Sequence, residues 1–369
     1  LKFFKTLKYD NSFNEQIFLD CVNNVKCDYY YPLVMENEDS VNNFKTITNN
    51  ISKQIVVIGT FDIFNMYDSM EQQYILNKPT KIEELIIDVV NMHSDKTFIV
   101  FHENINASAL FLYNIKNVKL VHWSALTTEK KSYTSLNIFE KNFSSNKTTI
   151  ALNRQQRQHR CVLISLLYGY KLNKDMQISS VFLNNIKGDL LSDVDWDFSI
   201  LSDNDIFTLT NGFKKAVCEN VGAIDNYTYN NVDNFVLYLK NVYKNSFVEI
   251  ISNTIFDIPF GVVDEKFLNS VYARNFPIII GVEGTVDYLR NLGFDVFDDV
   301  VNHSYDTIKN PLQRLLSAIF DNKHLYKNNI KVKWKDNEQR FNENINFAKK
   351  NMYNVYNTRI KTSFMEAIT

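Results

Sequence analysis

The chain is poor in the residues that carry the most familiar motifs. It has only 4 cysteines in 369 residues, namely Cys21, Cys27, Cys161 and Cys218. They form no Cys-x-x-Cys pair, and no histidine stands at zinc-finger spacing. Reduced thiols in a cytoplasmic protein (host cytoplasm, if the source is viral) are the matching expectation. The 9 glycines include no Gly-x-Gly-x-x-Gly and no Walker lysine loop. His-Glu-x-x-His and Gly-x-Ser-x-Gly are absent as well. The simplest dehydrogenase, NTPase, zinc-protease and serine-hydrolase readings fall away. No apolar run is long enough for a membrane span, and Leu1-Lys2-Phe3-Phe4-Lys5 lacks the apolar core of a signal peptide. Charge of one sign is missing too. The net charge is −2, which excludes nucleic-acid binding by bulk charge and leaves a local basic groove open.

What is present is an ordinary globular balance, 45% hydrophobic and 22% charged, in a chain long enough for two cores. The 28 Phe and 20 Tyr, with abundant Asn and Lys, follow AT-rich coding, as in a phage, a large virus or an AT-rich microbe. Short β-branched runs alternate with helical patterns. Gln54–Gly59, Thr97–Phe101 and Val118–Trp123 read as buried strands, with helices over 82–92 and 107–115. A polar stretch, 124–147, reads as a linker. Strands then recur at Thr148–Asn153, Ile178–Phe182, Val248–Ile251 and Phe276–Ile280. Helices are expected over 156–170, near 206–220 and 231–243, from Glu265, over 286–292 and near 308–321, with a charged, mostly helical tail. The first fifty residues show no clear pattern. This alternation predicts an α/β fold with parallel sheets covered on both faces. The expected divisions are residues 1–130, 148–335 and a tail, 336–369.

One segment points to chemistry. Asp264-Glu265-Lys266 opens an amphipathic helix that feeds the apolar strand Phe276-Pro277-Ile278-Ile279-Ile280-Gly281. Helix N-termini carry unpaired N–H groups and the positive dipole end, and phosphate groups bind there. Upstream, Arg154, Arg157 and Arg160 cluster around the start of another helix, the last two sharing a face.

These pieces resemble the donor half of GT-B glycosyltransferases with a fucosyltransferase-like pattern. The resemblance rests on Ile251-Ser252-Asn253-Thr254, Asp264-Glu265-Lys266 and Pro277–Gly281. Leu289-Arg290-Asn291-Leu292-Gly293-Phe294 is similar to a segment of uncharacterised phage-encoded glycosyltransferase-like proteins. Ala151–Arg160 is similar to the Asn-x-x-x-Arg region that opens the donor domain. The likeness covers about half the chain, and Ser252 and Asp264 depart from the family's pattern. It implies two Rossmann-like domains facing across a cleft, with a C-terminal helix crossing back onto the first. It implies a nucleotide-sugar co-substrate, such as a UDP- or GDP-sugar, with no metal or other cofactor. The expected function is transfer of that sugar to an acceptor, whether a hydroxymethylated base of viral DNA, a glycan or a protein.

The chemistry then assigns roles. A departing diphosphate needs neutralising charge, from Lys266 and from Arg154, Arg157 or Arg160. The resemblance implies that Glu265 accepts from ribose hydroxyls and adds Asn253 to the donor site. A general base belongs at a strand end of the first domain, where Asp62, His102, Glu103 and His122 are the candidates and strand-end placement favours Glu103 and His102. Two alternatives compete. Asp193-Val194-Asp195 has the metal-binding spacing of GT-A transferases. The substituted Ser252, with no obvious base, also fits a non-catalytic module that keeps the fold.

Overall fold

The computed structural model describes residues 27–30, 51, 53–59, 79, 81–102, 110–122, 140–153, 157–180, 196–219, 240, 242–253, 256, 265–327 and 329–369. The chain divides into two compact units. Unit 1 takes Leu1–Thr128, Ile258–Val262 and Tyr353–Thr369, and unit 2 takes Glu129–Asp257 and Val263–Met352. Among the described residues each unit holds one four-stranded parallel sheet flanked by helices.

In unit 1, β1 (Cys27–Tyr30), β2 (Ile55–Gly59), β3 (Thr97–His102) and β4 (Val118–His122) stand side by side in chain order. The helix α1 (Lys81–Met92) places Leu85, Ile86, Val89 and Val90 on one face, the i, i+3, i+4 spacing of an amphipathic helix. They form one core with Val56, Ile58, Phe98 and Val100. The alternate residues Val57, Ile99 and Phe101 point to the other face and are buried too. There Phe101 stacks on Phe364, ring centroids 5.7 Å apart. Phe364 belongs to α9 (Met352–Ile368). With both faces covered, the strands are apolar throughout rather than alternating. Glu83, in the first turn of α1, accepts from Phe111 N–H at 2.8 Å. Of the helix expected over 107–115, the described part is one 3₁₀ turn, Phe111–Asn114. Strand β1 lies in the polar region to which no element was assigned.

In unit 2, β5 (Thr149–Asn153), β6 (Met176–Ser180), β7 (Val248–Ser252) and β8 (Phe276–Ile280) run in the order β6-β5-β7-β8. The chain steps from β5 to β6 on one side, then returns to β7 on the other side of β5. Helix α2 (Gln158–Gly169) is buried at every position from His159 to Tyr168. Such a helix has no solvent face. One side meets α3 (Asp203–Cys218), where Cys161, Ile164 and Tyr168 pack with Phe213 and Ala216. A capping box starts α3: Ser202 Oγ accepts from Asp205 N–H and Asp205 Oδ2 from Ser202 N–H.

Four further helices, α4 (Glu265–Ala273), α5 (Thr285–Leu292), α6 (Pro311–Phe320) and α7 (Ile330–Asp336), lead to α8 (Glu338–Asn346). Gly293 ends α5 at φ 114°, the left-handed position that glycine fills without strain. Asn310 caps α6 with Pro311 in its first turn. An aromatic cluster of Phe276, Phe297, Trp334 and Phe341 joins α7 and α8 to the start of β8. The polar segment expected as a linker is part of unit 2 from residue 140 onward. Lys141 is buried there, its ammonium donating to Tyr243 O (2.9 Å), Ser246 O (2.6 Å) and Asn275 Oδ1 (2.6 Å). Among the described residues no helix is long and apolar enough to cross a membrane.

Candidate functional site

The second sheet opens at one place. β5 pairs with β6 along all five residues, to Asn153↔Ser180, and β7 pairs with β8 to Ser252↔Ile280. Between β5 and β7 the ladder stops at Ala151↔Ile250. The last two residues of each strand lie beyond it. This is also the topological switch point, where successive connections leave β5 in opposite directions. Ligands of open α/β sheets bind outside the carboxyl ends of the strands at such a point. The described strands of unit 1, laid down in chain order, have no equivalent.

Side chains from α2 converge on that opening. His159, 1% exposed, has Nε2 2.9 Å from Asn253 O, just past β7. Burial lowers its pKa well below the ordinary value, and the Arg160 charge pushes the same way. The Asn253 carbonyl works against this, while Arg157 and Lys266 add to the lowering. His159 is therefore a neutral imidazole donating from Nε2. It also marks a meeting point, since positive charge from α2 and from the first turn of α4 reaches it together. Arg160, 2% exposed, donates from Nε to Ser252 Oγ (3.3 Å) and from one terminal nitrogen to Ser252 O (3.1 Å) and Asn253 O (3.3 Å). The guanidinium thus bonds the stretch of β7 that β5 has left.

The far side is closed by backbone and by a second buried arginine. Arg314 donates to Gly281 O (3.0 Å), Phe256 O (2.6 Å) and Ile308 O (2.6 Å), and its guanidinium carbon lies 4.6 Å from the Phe256 ring centroid. It ties the end of β8 to the segment after β7. Gly281 is required by space. A Cβ there would lie 2.6 Å from Thr285 Oγ1 and 2.9 Å from Asn253 Nδ2. The N-terminus of α5 is already filled, because Asp306 accepts from Val286 N–H and Asp287 N–H, both at 3.0 Å. Burial raises the Asp306 pKa, and those two N–H groups oppose the rise. That helix end offers nothing to an outside anion.

The structure thus brings together Arg157, Arg160, Lys266 and Asn253, all in unit 2. Glu265 begins α4, but its side chain lies outside the described residues, as do Arg154, Glu103, Asp62, Asp193 and Asp195. His102 ends β3 in unit 1, buried, opposite His122 of β4 with ring centroids 5.5 Å apart. Among the described residues no group of three or more His, Cys, Asp or Glu is placed to hold a metal ion.

Sequence reasoning missed Asp306 and Arg314, and it took Asn153 only as part of the Asn-x-x-x-Arg resemblance, with no role of its own. Asn153 carried a usable signal, a polar residue ending a buried parallel strand. Asp306 and Arg314 carried none, because apart from the nearby Ile308 and Lys309 carbonyls their backbone partners lie 19 to 58 residues away. Comparison with protein-family models, with curated proteins and with solved structures finds no match to the chain.

Proposed function

We propose that unit 2 binds the diphosphate of a nucleotide-sugar donor and that the protein transfers the sugar to an acceptor, as a metal-independent glycosyltransferase of GT-B type. The observation that carries this reading is the opening between β5 and β7, with Arg157, Arg160 and Lys266 gathered around neutral His159. A leaving diphosphate gains negative charge as the sugar departs, and cations held in a water-poor crevice stabilise that charge more than they stabilise the bound donor. In this reading Arg160 is a positioning residue, because its bonds to Ser252 hold β7 and the start of α2 in place. Arg157 and Lys266 contact the phosphates. For the general base, His102, Glu103 and Asp62 stay the candidates that the sequence offers. The acceptor class, whether DNA, glycan or protein, is left to experiment.

The test is calorimetric titration with UDP, GDP and their sugars, with donor hydrolysis followed in parallel. Lys266→Ala is expected to weaken the best nucleoside diphosphate 10- to 100-fold, roughly 1.4–2.8 kcal/mol, the range of a charge-assisted phosphate contact. Its melting temperature should stay near wild type, because the side chain is only half-buried. Unchanged affinity in both Lys266→Ala and Arg157→Ala would sink the assignment. Tight donor binding with no turnover under any acceptor would instead favour the non-catalytic module.

A further inference from the structure

Asn153 is the last residue of β5 and stands at the opening between β5 and β7. Its side chain is 1% exposed. Among the described residues neither Oδ1 nor Nδ2 has a hydrogen-bond partner. A buried amide left this way is costly, and such groups in folded proteins are nearly always satisfied by something. Its backbone neighbours are already paired across to β6 at Asn153↔Ser180, so the ladder does not use the side chain. An asparagine here offers one acceptor and two donors side by side in a plane.

We propose that Asn153 is a specificity-determining residue of this crevice, bonding through both amide atoms to a neutral part of the ligand that presents a donor next to an acceptor. This rests on the donor-site reading above and adds to it. The diphosphate oxygens of a nucleotide sugar are fully ionised at neutral pH and only accept. A phosphate could satisfy Nδ2, but it would leave Oδ1 facing an anion. The division of labour follows from chemistry: Arg157 and Lys266 take the phosphates, and Asn153 takes what is attached to them. Two parts of a nucleotide sugar have the required pattern, the edge of the nucleobase and a vicinal hydroxyl pair of a sugar. Inorganic phosphate and pyrophosphate have neither. The crevice therefore selects a phosphorylated nucleoside or sugar over a bare polyphosphate.

The test titrates wild type, Asn153→Ala and Lys266→Ala with UDP, GDP, glucose 1-phosphate and pyrophosphate. In Asn153→Ala, at least one of UDP, GDP or glucose 1-phosphate should bind 10- to 100-fold more weakly. Pyrophosphate should stay within twofold. Loss confined to UDP or GDP places the partner on the nucleoside, its base edge or its ribose diol, and a loss shared by glucose 1-phosphate identifies a hydroxyl pair of the sugar. The unliganded variant should melt at or above the wild-type temperature, since an alanine removes an unsatisfied amide. Equal affinity of Asn153→Ala and wild type for every probe overturns the proposal and means that a buried water satisfies the amide. If Lys266→Ala still loses binding in that case, the donor-site reading survives without it. An equal loss for pyrophosphate also overturns it, since Asn153 would then only shape the cation cluster. Wild type binding none of the four probes removes both readings.

Discussion

Gly212→Ala is expected to lower the stability of unit 2 by about 3 kcal/mol and to weaken donor binding with it. By local propensity the change should help, since alanine in a helix interior is better than glycine by roughly 1 kcal/mol. Packing decides the sign. A Cβ at Gly212 would lie 2.1 Å from Ser165 O, 2.5 Å from Gly169 N and 2.8 Å from Gly169 Cα. These are backbone atoms of α2 and cannot rotate away. Ordinary contact would require α2 and α3 to part by about 1 Å, opening the space between them along several turns. Helix α2 cannot retreat, because it is buried at every position from His159 to Tyr168. The same helix carries Arg157, His159 and Arg160, so a shift there moves the charges at the β5–β7 opening. Urea unfolding followed by tryptophan fluorescence, with titration of the best nucleoside diphosphate, reads both effects. Stability within about 0.5 kcal/mol of wild type would show that the two helices separate at no cost, against the close-packing argument.

Much of the second sheet was legible because its strands are short apolar runs closed by polar residues or glycine, and because α/β alternation leaves few arrangements. The strands expected at Thr97, Val118, Thr148, Val248 and Phe276 all exist within a residue or two. So do the helices opening at Glu265 and over 286–292, the latter because Gly293 can take a left-handed conformation. Strand β6 begins two residues before its expected start, since Met176 and Gln177 carry no β-branched signal. The short strand Cys27–Tyr30 was illegible inside a polar region. The segment around Lys141 was read as linker because burial of an ammonium is set by three acceptors far along the chain, at Tyr243, Ser246 and Asn275. No local pattern encodes that. The site divides the same way. The cations were visible as residue types, and their convergence on His159 was an inference the fold could have broken. The early end of the β5–β7 ladder depends on pairing register, which single strands do not reveal.

Lys141→Met is expected to destabilise unit 2 by roughly 3–5 kcal/mol, the cost of breaking a buried charge from its acceptors. The change takes the ammonium away from Ser246 O and Asn275 Oδ1, while Tyr243 O keeps Ser246 N–H and Oγ, and it removes the favourable Lys141 charge acting on buried Glu249. Glu249 sits on β7, 2% exposed, with Oε1 accepting from the Tyr243 hydroxyl at 2.9 Å. Burial raises its pKa from 4.5 to about 7, against the bond from Tyr243 and the charge of Lys141. The sign follows from proton counts. Between about pH 4.5 and 7 the folded protein holds a proton on Glu249 that the unfolded chain has released. This contribution is fully present below pH 4.5 and is lost as pH rises through 7, at up to about 1.4 kcal/mol per unit. Burial lowers the Lys141 pKa as well, so the unfolded chain holds a proton there that the folded protein has released. This term raises stability with pH and opposes the Glu249 term, which is why the Glu249→Gln difference, not the wild-type curve alone, isolates Glu249. Glu249→Gln keeps the hydrogen bond from Tyr243 and has no charge to bury. It should flatten the fall between pH 5 and 7 and leave the variant more stable than wild type at pH 8 by about 1–3 kcal/mol. In Lys141→Met the Glu249 titration should move to higher pH, because the ammonium no longer favours the carboxylate. The double variant should recover part of the Lys141→Met loss at pH 8, where the uncompensated carboxylate is most costly. Urea titrations of the four proteins at pH 5, 6, 7 and 8 measure each of these terms. A Glu249→Gln protein whose stability follows the wild-type pH curve would place the titrating group elsewhere.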